Sequence, residues 1–262
     1  MFKRMPLNYV AGAIALALSA HGYAQTTTVG TGSTLIFTEN DTTTGSGYVY
    51  DLNLNVAGSS AFTGTSNETF NISSLSTSGA YSSFLSSVGS TDSVEWSVAG
   101  GEEPSASTAP VTVDVTSSSG APTLKTNAAI ASAYGRVNTF LGTISNPSGS
   151  DSFQSASAAT GWFASGGENG LNGNLGINDS AAVGSSLSFY QLVGSAVSGH
   201  TAGTVADFGG GTWSFANNVL TYTAAPVPLP APLLLLLSGL GLTGLIGRRR
   251  NASDSSLGGA AA

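Results

Sequence analysis

The amino-acid sequence predicts an all-β fold, a single domain of the β-sandwich or jelly-roll kind carrying one short helix. Three observations lead there. Apolar and polar residues alternate with a period of two in several short segments, as expected of half-buried strands. Those segments are separated by Ser-, Thr- and Gly-rich stretches suited to turns, and only one segment has helical periodicity. Ser and Thr make up about a quarter of the 262 residues and Gly contributes 35 more, a composition that would suit disorder if the apolar residues were scattered, but they are grouped.

In chain order, the first strand is expected at Leu35 to Thr38. The next is the clearest: Tyr48, Tyr50, Leu52, Leu54 and Val56 fall on one face, and Asp51, Asn53 and Asn55 on the other. A short strand is expected at Thr69 to Ser73. Val94, Trp96 and Val98 then alternate with Ser93, Glu95 and Ser97, which points Trp96 inward and Glu95 outward. Val111, Val113 and Val115 alternate with Thr112 and Asp114 in the same way. The rhythm changes between Asn127 and Ile144, where Ile130, Tyr134, Val137, Leu141 and Ile144 recur at helical spacing behind Thr126 or Asn127 as N-cap. Gly135 and Gly142 each cost about 1 kcal/mol relative to Ala in a helix interior, so a short or interrupted helix is expected. A strand follows at Leu187 to Val193, and Trp213 to Phe215 and Val219 to Thr223 form a closing hairpin around Asn217 and Asn218, whose side chains tolerate left-handed backbone.

Both termini depart from this body of residues 25–225. Lys3 and Arg4 precede an apolar run from Val10 to Ala20 and then Gly22-Tyr23-Ala24-Gln25, with small residues where a signal peptidase reads; residues 1–24 are expected to be a secretory signal peptide cut between Ala24 and Gln25. Residues 226–250 hold Val227-Pro228-Leu229-Pro230-Ala231-Pro232, an apolar run from Leu233 to Ile246, and the basic stop Arg248, Arg249 and Arg250. A hydrocarbon core of about 30 Å takes about 20 helical residues, so the fourteen of Leu233 to Ile246 span it only with help from the flanking segment. The arginines would stay cytoplasmic, which leaves the chain from Gln25 onward on the outer face of the inner membrane. The prolines favour extended backbone without internal hydrogen bonds, open to a protease at the membrane surface.

This order of motif, apolar segment and arginines resembles the C-terminal sorting signal of the PEP-CTERM class of Gram-negative surface proteins, in its Val-Pro-Leu-Pro-Ala variant. The resemblance implies recognition and cleavage by a membrane-embedded exosortase, a transient stay in the inner membrane, and delivery to the cell surface or the extracellular polysaccharide matrix. The polar tail of residues 251–262 is longer than the family's usual ending. Gly239-Leu240-Gly241-Leu242-Thr243-Gly244 fits a dinucleotide-binding fingerprint by spelling alone: prolines precede it, arginines follow it, and no acidic residue lies about twenty positions on.

Charge and composition exclude some functions and leave others thinly supported. The body carries thirteen acidic residues against Lys125 and Arg136, a balance of −11, which repels phosphate backbones and argues against nucleic-acid binding. No cysteine is present, so no disulfide framework or cysteine nucleophile is available. After loss of His21 with the signal peptide, His200 is the sole histidine, in a Gly-rich turn, and no G-x-S-x-G context marks a serine nucleophile. Glu95 beside Trp96 is the pair most suggestive of a glycosidase, although the alternation separates their faces. Lys125 and Arg136 read as a solvated helix face, with a small anionic ligand as the sharper alternative. Within Gly166 to Asp179, read as a flexible Gly-rich loop, Glu168, Asn169, Asn172, Asn174 and Asp179 offer the hard oxygen ligands that calcium prefers; no other cofactor is expected. The expected function is that of an exported, exosortase-sorted, non-catalytic surface or matrix protein, with signal peptidase, exosortase and exopolysaccharide as partners. The rivals are a carbohydrate-active enzyme and a calcium-dependent carbohydrate-binding or adhesion module delivered by the same route.

Overall fold

A computed structural model describes residues 34–56, 61–102, 110–123, 126–143, 151–155, 167–194 and 203–226. Its strands are β1 (Thr34–Asp41), β2 (Gly47–Asn55), β3 (Glu68–Asn71), β4 (Val94–Glu102), β5 (Thr112–Ser117), β6 (Asp151–Gln154), β7 (Ala181–Ala182), β8 (Ser186–Val193), β9 (Thr204–Ala216) and β10 (Val219–Thr223). The helices are α1 (Ile72–Leu75), α2 (Ala80–Ser87), α3 (Asn127–Thr143) and α4 (Gly167–Leu175). The strands join in one antiparallel sheet of order β3-β10-β9-β8-β5-β4-β1-β2-β6, with β7 paired to β4 off that path.

The all-β expectation holds for the sheet, but its form is a curled half-barrel. Phe37 of β1 and Phe215 of β9 lie four steps apart in the strand order, yet their ring centroids are 4.7 Å apart, which requires the two limbs to face each other across a shared interior. That interior holds Leu35, Tyr48, Trp96, Val98, Phe189, Trp213, Leu220 and Tyr222. A second core lies on the outer face, where Ile36, Val49, Ala99, Val113, Val115 and Leu192 pack under Ile130, Val137 and Phe140 of α3 and Leu171 and Leu175 of α4. Every residue of β5 is therefore buried, Thr112, Asp114 and Thr116 on the concave face and Val113 and Val115 on the convex one. The alternation has the right period, but both of its faces are covered.

Several local expectations are met. Tyr48, Tyr50, Leu52 and Val56 share the inner core, and the Asn217-Asn218 turn has φ of 52° and 63°, the left-handed pair of a two-residue hairpin. The β1–β2 register shifts between Thr34 and Ile36, where Asn53 takes a φ of 54°, a bulge that keeps the faces in phase.

Others are corrected. One short helix is expected, and four helical segments occur among the described residues. α3 is continuous over 17 residues, started by Thr126, whose Oγ1 accepts from the Ala129 amide at 3.2 Å; burial of its apolar stripe outweighs the penalty of its glycines. The strand expected through Ser73 ends at Asn71, because Asn71 caps α1 by accepting from the Ser74 amide at 3.2 Å. The loop expected at Gly166 to Asp179 is helical from Gly167 to Leu175, since Leu171 and Leu175, one turn apart, are drawn into the outer core.

α1 and α2 connect what the sheet leaves apart. β3 and β6 are its two edges, and α1 packs on β3 and β10 while α2 packs on β6 and β2. Ile72, Tyr81 and Phe84 anchor the pair in the inner core.

Candidate functional site

The densest set of buried polar groups with defined geometry lies beneath α1 and α2. Glu39 extends from β1 on the same face as Leu35 and Phe37, directly across from Tyr48 of β2 and Trp96 of β4. It is 4 % exposed, and its Oε2 has no hydrogen-bond partner. Burial pushes its carboxyl up to about 7, against a smaller lowering by the Tyr81 hydroxyl. Tyr81 in turn donates its hydroxyl proton to Oδ1 of Asn218 at 2.9 Å. Burial, and then the charge of Glu39, raise the Tyr81 phenol far above its ordinary range, so it acts as a neutral donor.

Beside it, Tyr48 donates to Asp151 Oδ2 at 3.3 Å, and Ser76 Oγ donates to the same oxygen at 2.5 Å. The Tyr81 amide donates to Ser76 Oγ at 3.2 Å, and the Tyr48 and Tyr81 rings lie 4.8 Å apart. Burial and the neighbouring Asp151 charge likewise keep Tyr48 protonated. The Ile72 amide donates to the Asn218 carbonyl at 2.9 Å, and the Ser46 and Ser87 hydroxyls share a bond of 3.1 Å. These bonds tie the helix pair to β2, β6 and the β9–β10 turn.

A second buried acid, Asp114, stands on the concave face of β5 between Gly100 of β4 and Gln191 of β8. It is fully buried, and neither carboxylate oxygen has a hydrogen-bond partner. Burial raises its carboxyl well above the ordinary Asp range, and the adjacent Gln191 amide offsets only part of this. Burial thus favours the neutral form of Asp114 within the core. Nearby, Thr116 Oγ1 accepts from the Val98 amide at 3.0 Å and lies 2.7 Å from the Asp179 carbonyl, to which it donates. That hydroxyl continues the β4–β5 ladder past its last pair, Ala99 with Val115.

The structure separates the residues singled out in sequence. Trp96 is buried in the inner core, and Glu95 on the other side of β4 accepts from Ser180 Oγ at 2.6 Å, so the two do not form a sugar platform. In the α4 segment, Asn172 Oδ1 accepts from the Asp179 amide at 2.8 Å, which closes the turn after the helix, and the Asp179 side chain is buried. Asn174 is half-buried on α4, and Glu168 and Asn169 lie in its first turn. Among the described residues, no three His, Asp or Glu side chains are grouped as a metal site, and no helix is long and apolar enough to cross a membrane. Arg136 is exposed on α3. Ala24, Gln25, Lys125, His200, Val227 to Ala231 and Arg248 to Arg250 lie outside the described residues.

Sequence reasoning did not find Glu39, Tyr81, Asp151 or Asn218 as a group, because they come from four separate elements. The one local signal was Tyr81, Phe84 and Val88 at helical spacing within a Ser-rich stretch. No protein-family model matches this chain, and comparison with curated proteins and with solved structures finds no similar protein.

Proposed function

We propose that this chain is an exported protein of the cell surface or extracellular matrix, sorted by an exosortase, whose β-rich body serves as a non-catalytic module associated with exopolysaccharide. The observation that carries this reading is the order of Val227 to Ala231, the apolar run Leu233 to Ile246 and the three arginines, paired with the basic, apolar and small-residue layout of residues 1–24. The body supports it in three ways: it is acidic, free of cysteine, and built on a sheet whose limbs face each other in a sandwich-like manner. A cysteine-free domain with two apolar cores folds outside the cell without an oxidising partner.

Intact mass of the protein from envelope and medium of its host, with and without the exosortase, tests the proposal. The expected product begins at Gln25 and ends within Val227 to Ala231 only when the exosortase is present. Retention of Leu233 to Arg250 in both strains would overturn it and leave a membrane-anchored protein.

A further inference from the structure

The two edges of the curled sheet, β3 and β6, are bridged by α1 and α2 rather than by each other. We propose that this helix pair is a pH-sensitive clasp, which holds the half-barrel closed while Glu39 carries a proton and loosens when that proton is lost to solvent.

The argument rests on how many protons three side chains share. Protonated Glu39 has a hydroxyl to give to the Tyr81 oxygen, and Tyr81 gives its own proton to Asn218 Oδ1, so each proton along Glu39–Tyr81–Asn218 has an acceptor. Ionised Glu39 accepts only. Tyr81 has one proton, and turning it to the carboxylate abandons Asn218, which is the side-chain link from α2 to the β9–β10 turn. Leaving it on Asn218 strands a buried carboxylate whose Oε2 already lacks a partner. Either way the closed arrangement is penalised by ionisation.

Among the described residues, no cation relieves it. The groups facing Glu39 are Tyr48 from β2, Trp96 from β4 and Tyr81 from α2, with Asp151 of β6 behind Tyr48. Asp41, two residues on along β1, is acidic and bound to its own turn. Arg136, the one basic residue among those described, sits on α3 against the opposite face of the sheet. Hydration through an opened clasp is the remaining way to stabilise the charge, and the midpoint of about 7 places the change within the range a surface protein meets.

Hydrogen exchange on the full chain in mild detergent at pH 5.5 and 8.5, corrected for intrinsic base catalysis, reads clasp opening directly. Exchange at Tyr81 to Ser87 is expected to rise roughly tenfold or more relative to α3 across that interval. In Glu39→Gln the rise is expected to vanish. Equal pH dependence in the clasp and α3, or an unchanged rise in Glu39→Gln, would overturn the proposal. A second measurement needs only the wild type: the Glu39 carboxyl 13C signal and the amide signals of Tyr81 to Ser87 should titrate with one midpoint. Separate midpoints would also overturn it.

Discussion

Asp114 concentrates the physical tension of the inner core in one side chain. A carboxyl with no hydrogen-bond partner can stay inside only if it is neutral, and the unfolded chain would ionise it near 3.8. Its folded value lies well above that, so the native state binds the proton more tightly and stability falls as pH rises from about 4 towards the folded value. Asp114→Asn carries no such titration. Urea denaturation at pH 4, 6 and 8 should therefore show the difference in stability moving steadily in favour of the variant as pH rises; a constant difference would show that Asp114 is not a buried neutral acid. The alternation sets this residue on the face opposite Val113 and Val115, where it lies, but that face is the concave interior and not the solvent side expected of a polar residue. The sequence could not reveal the burial, because alternation reports that two faces differ and not whether the polar one meets water.

At the scale of elements, two glycines with the same composition-based penalty have opposite meanings. Gly135 lies in the middle of α3 and a Cβ there would meet nothing within 4 Å, so Gly135→Ala should stabilise by about 1 kcal/mol through helix propensity alone. A Cβ on Gly211 of β9 would land on the hydroxyl of Tyr222, which donates to the Gly64 carbonyl at 3.1 Å. Gly211→Ala should destabilise by about 2 kcal/mol or more, as overpacking a closed interior does. Thermal melts of the two variants check both signs. The 17-residue helix was legible because its apolar residues recur over four turns. α2 was less so: eight residues, half of them Ser, give a weak helical signal, and burial of Tyr81 and Phe84 decides the matter. β6 and β7, of four and two residues, have no periodicity long enough to read.

For the whole molecule, the titrating acids set an optimum. Burial raises Glu39, Asp51 and Asp114, so each lowers stability as pH climbs above its unfolded value. Asp41 has the opposite sign. Burial would raise it, but the Thr44 hydroxyl and the Thr43 and Thr44 amides outweigh that and hold it low, so its contribution is lost as pH falls through its depressed value. The expected result is maximal stability in mild acid, between about pH 4 and 6, read from melting temperature across pH 3 to 9. A maximum at pH 8 would contradict the buried-acid assignments. The curl of the sheet, unlike the Val-Pro-Leu-Pro-Ala stretch and the arginines after it, has no linear signature. It arises from contacts such as Phe37 with Phe215, 178 residues apart in the chain.

The clasp also bears on the order in which the chain can be assembled. Among the described strands β3 pairs only with β10, so the edge formed by Glu68 to Asn71 waits for Val219 to Tyr222, and α1 waits for the Asn218 carbonyl. In a chain made N-terminus first, β1, β2 and β4 are complete early and find one another, while α1 stays unanchored until almost the whole body has followed. Until then an unpaired edge and an apolar interior are exposed together, the condition under which chains join their neighbours instead of themselves. Closure is therefore a late event, and the final hairpin is the piece on which it waits.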